Sequence, residues 1–175
     1  MQLLENDLVK LRALEEKDIE VLYQWENDTI NWPVSNMIQP LSEGVLKEYM
    51  ETAHYDIFAT RQLRLVIMDK AADLAVGFLD LFEFDPMNMR AGVGVLIGLD
   101  GARGKGLASA ALTLIEEYAF KHLRLNQLHA QIDETNEKSI QLFEKAGFLN
   151  TSSFHDWKNI EGNWVDVLLY QKFNR

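Results

Sequence analysis

The sequence predicts an α/β (α+β) fold, a mixed and mostly antiparallel sheet of about seven strands with four helices on its faces. Three observations carry this. Short apolar, partly β-branched runs fill the middle of the chain; apolar residues recur at helical spacing in longer segments; and Asp/Asn-rich turns separate consecutive strands. At 175 residues, against about 100–200 per domain, residues 1–175 read as one domain, without repeat, low-complexity tract or linker.

Leu8 to Leu14 alternates as a strand, with Val9, Leu11 and Ala13 on one face and Lys10 and Arg12 on the other. Glu16 to Asn27 spaces Ile19, Leu22 and Tyr23 as a helix. Asp28 to Pro40, with Pro33, Pro40, Asn31, Ser35 and Asn36, reads as a loop. Ser42 caps a second helix carrying Val45, Leu46, Tyr49, Met50 and Ala53. Leu63 to Met68, Ala75 to Phe84 and Ala91 to Ile97 form a meander, turned at Asp69–Asp73 and Asp85–Asn88. Leu107, Ala110, Ala111, Leu114, Ile115 and Tyr118 mark the third helix. A strand at Gln127–Ile132 precedes the fourth, Asn136 to Ala146, which Gly147 ends as a C′ glycine with Phe148 packing back. A hairpin of Thr151–Trp157 and Trp164–Phe173 closes the order.

Composition excludes whole classes. With 47% hydrophobic and 25% charged residues, the chain is neither disordered nor fibrous. It has no cysteine, hence no disulfide, no thiolate metal site and no cysteine nucleophile. Its 17 Lys and Arg against 27 Asp and Glu give a net charge of −10. That disfavours nucleic acid or anionic lipid as partner and suits a cationic one. No apolar run approaches the ~20 residues of a membrane span, and the N-terminus lacks a signal pattern, so a soluble, cytoplasmic protein is expected. His54, His122, His129 and His155 lack the i, i+4 pairing of a zinc helix, and no metal is expected.

The most specific local signal is Arg103-Gly104-Lys105-Gly106-Leu107-Ala108-Ser109, after a strand and opening a helix. Glycines let the backbone turn tightly and expose its amides, and a helix N-terminus with free N–H groups favours phosphate. Arg103 and Lys105 add positive charge. Spacing rejects the P-loop, because five residues separate Gly98 from Gly104 and Gly106 follows the lysine. Gly92 and Gly94 fall inside a strand, which rejects a dinucleotide fingerprint.

Together these segments resemble the GNAT superfamily of acyl-CoA N-acyltransferases. Strand Gly92–Ile97, the 103–108 turn and the helix after it are similar to its motif A, and Asn136 to Phe148 to its motif B. The resemblance covers essentially the whole chain and is closest to bacterial spermidine/spermine N-acetyltransferases, with ribosomal-protein acetyltransferases next. It implies a GNAT fold with a splayed central strand pair, opened by a bulge, and acetyl-CoA as co-substrate. Val95, Leu96 and Ile97 would pair with the pantetheine arm, Arg103, Gly104, Lys105, Gly106, Leu107, Ala108 and Ser109 would hold the pyrophosphate, and Asn136 would reach the pantetheine or serve as an N-cap. Acetyl would pass directly to a primary amine, a polyamine first. Homo-oligomers are expected by the same likeness.

Two departures bear on catalysis. Relatives often carry a tyrosine acid where this chain has Phe143, and a glutamate where it has Gly92. Asp80 and Glu83 match acidic positions of the polyamine enzymes, but three residues apart on a strand they face opposite sides unless a bulge intervenes. Glu26, Asp28, Glu48 and Glu51 could extend an acceptor pocket, with Trp32 and Pro33 at its mouth. The alternatives are acetylation of a protein N-terminal amine, or a low-turnover acyl-CoA-binding module.

Overall fold

In the computed structural model, which describes residues 3–175, the expected strands and long helices appear in the expected order. Strand β1 (Val9–Ala13) leads through a 3-10 turn (Glu16–Asp18) into α1 (Ile19–Glu26), followed by α2 (Trp32–Ser35), α3 (Glu43–Thr52) and α4 (Ile57–Thr60). Strands β2 (Leu63–Asp69), β3 (Leu74–Asp85) and β4 (Arg90–Ile97) make the meander. Helix α5 (Leu107–Glu117) runs into a π-turn (Tyr118–His122), then come β5 (Gln127–Asp133), α6 (Glu137–Lys145), β6 (Leu149–Ile160) and β7 (Asn163–Phe173).

Two one-turn helices add to the four expected ones. Within the segment read as a loop, Pro33 sits in the first turn of α2, where its missing N–H costs nothing, and Asn36 ends it in the left-handed region at φ 57°. Helix α4 is capped by Asp56, whose carboxylate accepts from the Phe58 and Ala59 amides, and Arg61 ends it at φ 61°. Ser42 caps α3 as expected, accepting from the Val45 amide.

The seven strands order as β1-β2-β3-β4-β5-β7-β6. Strand alternation then sorts side chains between two layers. Leu65, Ile67, Leu79 and Leu81 face α5, packing with Ala111, Leu112 and Ile115. Val66 and Phe78 face the other way, packing with Leu22 and Trp25 of α1 and Leu46 of α3. All pairings are antiparallel except β4 with β5, which is parallel and covers three residue pairs, ending at Gly92–His129. Beyond that pair β4 and β5 diverge, the splay that the sequence led us to expect. The bulge, however, lies one strand over. Phe82 pairs with Gly92 and Asp85 with Arg90, so Glu83 and Phe84 of β3 together oppose Ala91.

Candidate active site

The α1/α3 face of β2 and β3 is apolar at Val66 and Phe78 and charged one pair further along, where Arg64 lies directly across from Asp80. Arg64 Nε donates to Asp80 Oδ1 at 2.7 Å and a terminal nitrogen donates to Oδ2 at 3.0 Å. Its other terminal nitrogen bonds Glu26 Oε1, the buried last residue of α1. The guanidinium lies over the rings of Tyr49 (5.7 Å) and Phe78 (5.3 Å). Burial pulls Arg64 toward the neutral form, but Asp80, then Tyr49 and Glu26, outweigh it and hold its pKa above the ordinary value. Burial pushes the Tyr49 phenol up as well. These groups floor a cavity of about 550 Å³ that runs from α1, α2 and α3 to the cleft between β4 and β5.

The β3 bulge decides where Glu83 goes. Phe84, three residues after Leu81, returns to the α5-facing core, which makes Glu83 the extra residue, held at φ 48°. Asp80 and Glu83 therefore line the same cavity, although regular alternation would have separated them. They differ in state: both oxygens of Asp80 are engaged by Arg64, whereas Glu83 is exposed.

At the fork of the splay, Gly92 has a specific reason to be glycine. A Cβ there would meet the Phe82 ring at 2.3 Å. The ring fills the place where a side chain from position 92 would stand, and its other neighbour is His129, edge-on at 6.2 Å. Burial lowers the His129 pKa, partly offset by Glu83, so the imidazole is neutral at pH 7. Its Nδ1 is buried without a hydrogen-bond partner.

On the donor side, the turn between β4 and α5 holds Gly101, Gly104 and Gly106 at φ 77°, 79° and 78°, and a Cβ on any of them would meet nothing within 4 Å. A ligand can thus approach bare backbone there. The first bond of α5 runs from the Ala110 amide to Gly106 carbonyl (3.0 Å), so the helix makes no use of the Leu107, Ala108 and Ser109 amides. Arg103 Nε donates to the Ile97 carbonyl at 3.0 Å, tying the turn to the end of β4. Asn136 caps α6, accepting from the Ser139 amide at 3.2 Å, and lines the cavity with Val95, Leu96 and Phe143. Phe143 is fixed from behind. The Phe148 amide donates to the Phe143 carbonyl (3.0 Å) and the Gly147 amide to the Glu144 carbonyl (2.9 Å), with Gly147 at φ 86°. The Phe143 and Phe148 rings meet edge-on at 5.0 Å.

The cavity thus gathers Asp80, Glu83, Val95, Leu96, Asn136 and Phe143, together with Glu26. Ile97 and the 103–109 turn lie outside its lining and continue the donor strand. Asp28, Glu48 and Glu51 do not line it, nor does Trp32, whose indole N–H donates to the Glu26 carbonyl. Sequence reasoning missed Arg64, Tyr49, Asp133 and Lys158. Arg64 carried one signal: it is a lone cation between Leu63 and Leu65 in an apolar strand.

A model of the acetyltransferase (GNAT) domain matches residues 9–149. The chain belongs to the GNAT family of acetyltransferases. Members of this family use acetyl-CoA. The spermidine N(1)-acetyltransferase of Escherichia coli (strain K12) is 28% identical over 141 residues, 80% of this chain and 72% of that one. The spermidine N-acetyltransferase from Vibrio cholerae in complex with CoA and spermine shares the fold, with a TM-score of 0.87 at 24% identity over 97% of each chain. A dodecameric structure of spermidine N-acetyltransferase from Vibrio cholerae gives 0.78 at 24% identity over 97% of this chain and 95% of that one. Among the described residues of this GNAT protein, no group of three or more His, Cys, Asp or Glu side chains could hold a metal ion. No helix among them is long and apolar enough to cross a membrane.

Proposed function

We propose that this GNAT protein, acting as one domain over residues 1–175, moves acetyl from acetyl-CoA directly to the primary amine of a small cation, a polyamine such as spermidine or spermine first. The observation that carries the reading is a single cavity joining the β4/β5 cleft to the carboxylates of Glu26, Asp80 and Glu83. In this reading the amides of the 103–109 turn hold the pyrophosphate, and Val95, Leu96 and Ile97 offer the strand edge that β5 leaves unpaired. Asn136 spends its carbonyl oxygen on the α6 cap and keeps its amide N–H groups for the pantetheine.

The acceptor arrives as an ammonium and first loses one proton to solvent; its free nitrogen then bonds the acetyl carbon, the C–S bond breaks, and the nitrogen gives up a second proton. Glu83 receives it, because Asp80 would have to surrender a charge-assisted bond to Arg64. Phe143 has no proton to give, so the thiolate departs unassisted and is protonated by solvent. Arg64, Asp80 and Glu26 sum to one negative charge, which attracts an ammonium without trapping it. The proposed setting is the cytoplasm, where acetyl-CoA and polyamines are held. The assembly is a homo-oligomer, a reading supported by Trp157 and Trp164, exposed on the β6–β7 hairpin, and by the dodecameric relative.

The test is acetyl-CoA-dependent thiol release with spermidine, spermine and a basic peptide bearing a free N-terminus. Saturable release with the polyamines upholds the reading. Release with peptide alone moves the protein to N-terminal acetylation, and tight acetyl-CoA binding without release from any acceptor makes it an acyl-CoA-binding module.

A further inference from the structure

Asp133 ends β5 and is 6% exposed, in the cavity wall. Its cation is supplied by the chain itself. Lys158 of the β6–β7 hairpin resumes pairing with Val165 after a bulge in which His155, Asp156 and Trp157 oppose Asp166. Its Nζ lies 2.8 Å from Asp133 Oδ1. That is ion-pair distance, but the two groups are not aligned as a hydrogen bond, and Oδ1 has no donor. The ammonium donates instead to the Pro33 carbonyl of α2 at 3.1 Å. A buried carboxylate with unmet acceptor capacity is costly to keep, and here that oxygen is closed off from solvent in the cavity wall with Lys158 against it.

We infer that Asp133 is a second ammonium subsite of the acceptor site, filled by Lys158 until an amine carrying two or more ammonium groups displaces it. This rests on the amine-acetyltransferase reading above. Lys158 is an alkylammonium held between a carboxylate and a carbonyl, which is the chemistry of a polyamine nitrogen. Its side chain is 24% exposed, so displacement needs rotation of one side chain and the loss of one hydrogen bond. A monoamine places its single nitrogen at the transfer site and gains nothing from Asp133. A diamine gains an ion pair there, but only against Lys158. The lysine therefore tunes affinity for multi-ammonium acceptors selectively.

The experiment measures thiol release with butylamine and with diaminobutane, alongside calorimetric titration of diaminobutane onto the protein without acetyl-CoA. Lys158→Met is expected to tighten diaminobutane binding and lower its KM relative to that of butylamine by about fivefold. In an Asp133→Asn background the same substitution changes neither. Lys158→Arg, which keeps the cation, stays near the wild type, and melting curves establish that each variant folds. An unaltered diamine-to-monoamine ratio in Lys158→Met overturns the inference. So does a change confined to the acetyl-CoA KM, which would assign Asp133 to the donor side. If the wild type acetylates neither amine, the proposed activity fails on its own account. The titration still decides the subsite, because diaminobutane binding that Lys158→Met leaves unchanged overturns it and tighter binding upholds it.

Discussion

Replacing Gly92 by alanine tests the packing that displaces a side chain from the fork of the sheet. The new Cβ would stand 2.3, 2.6 and 2.7 Å from three carbons of the Phe82 ring, each well inside van der Waals contact. The ring cannot swing freely, because His129 flanks it edge-on and Gly92 and Phe82 are paired in the ladder. Overpacking of this kind costs about 1–3 kcal/mol. For a chain of this size that lowers Tm by about 2–4 °C per kcal/mol, hence by about 2–12 °C. Phe82→Leu removes the clashing ring carbons, so the double variant should lose less than the sum of the single ones, with a coupling of about 1 kcal/mol or more. Differential scanning calorimetry of the four proteins reads both quantities. A Gly92→Ala protein as stable as the wild type, or losses that simply add, would refute the claim that the Phe82 ring holds this position to glycine.

The two cavity carboxylates should separate kinetically. Glu83→Gln is expected to lower kcat by about 10²-fold or more with little change in amine KM, whereas Asp80→Asn, which leaves Arg64 with Glu26 alone, should chiefly raise the amine KM and lower Tm. Steady-state kinetics on both variants check this, and equal kcat losses would contradict it. Gly106→Ala forces a Cβ into the left-handed region at a cost of about 1–2 kcal/mol; the free turn escapes it by leaving that conformation, and restoring it for the donor should weaken acetyl-CoA binding by isothermal titration roughly five- to thirtyfold while amine KM stays within about twofold. Acid should destabilise through His129. Burial sets its folded pKa below the unfolded value, so below about pH 6.5 the unfolded chain binds a proton that the folded chain refuses, and stability falls as pH drops through and below that point. Denaturant unfolding of His129→Gln across that range should show a flatter acid limb than the wild type.

The segments that sequence reasoning placed correctly are those whose signals are local. Ser42 and Asn136 sit one residue before the helices they begin and Gly147 two residues after the one it ends, and the 103–109 turn announces itself through glycines at φ above 70°. What escaped depends on partners far along the chain. Arg64 and Glu26 meet across 38 residues, and Lys158 reaches Pro33 across 125. The bulges left no glycine signature either, because Glu83 and Asp156, both at φ 48°, occupy the left-handed positions. The expectation that Asp80 and Glu83 face apart without a bulge followed correctly from the period of a strand. The bulge that joins them in one cavity was invisible for this reason. Helices α2 and α4, four residues each, are too short for any periodicity to register.

The parallel seam between β4 and β5 spans only three residue pairs, so the sheet is mechanically two leaves hinged near Gly92 and His129. Beyond the hinge, Val93–Ile97 has ladder pairing with β3 but not β5, and Ala130–Asp133 with β7 but not β4. A strand-like ligand arm laid between them would act as a missing rung, stitching the leaves together. Donor binding should then rigidify the whole sheet: amide exchange slows on both sides of the cleft at once, and the unliganded protein opens first along this seam.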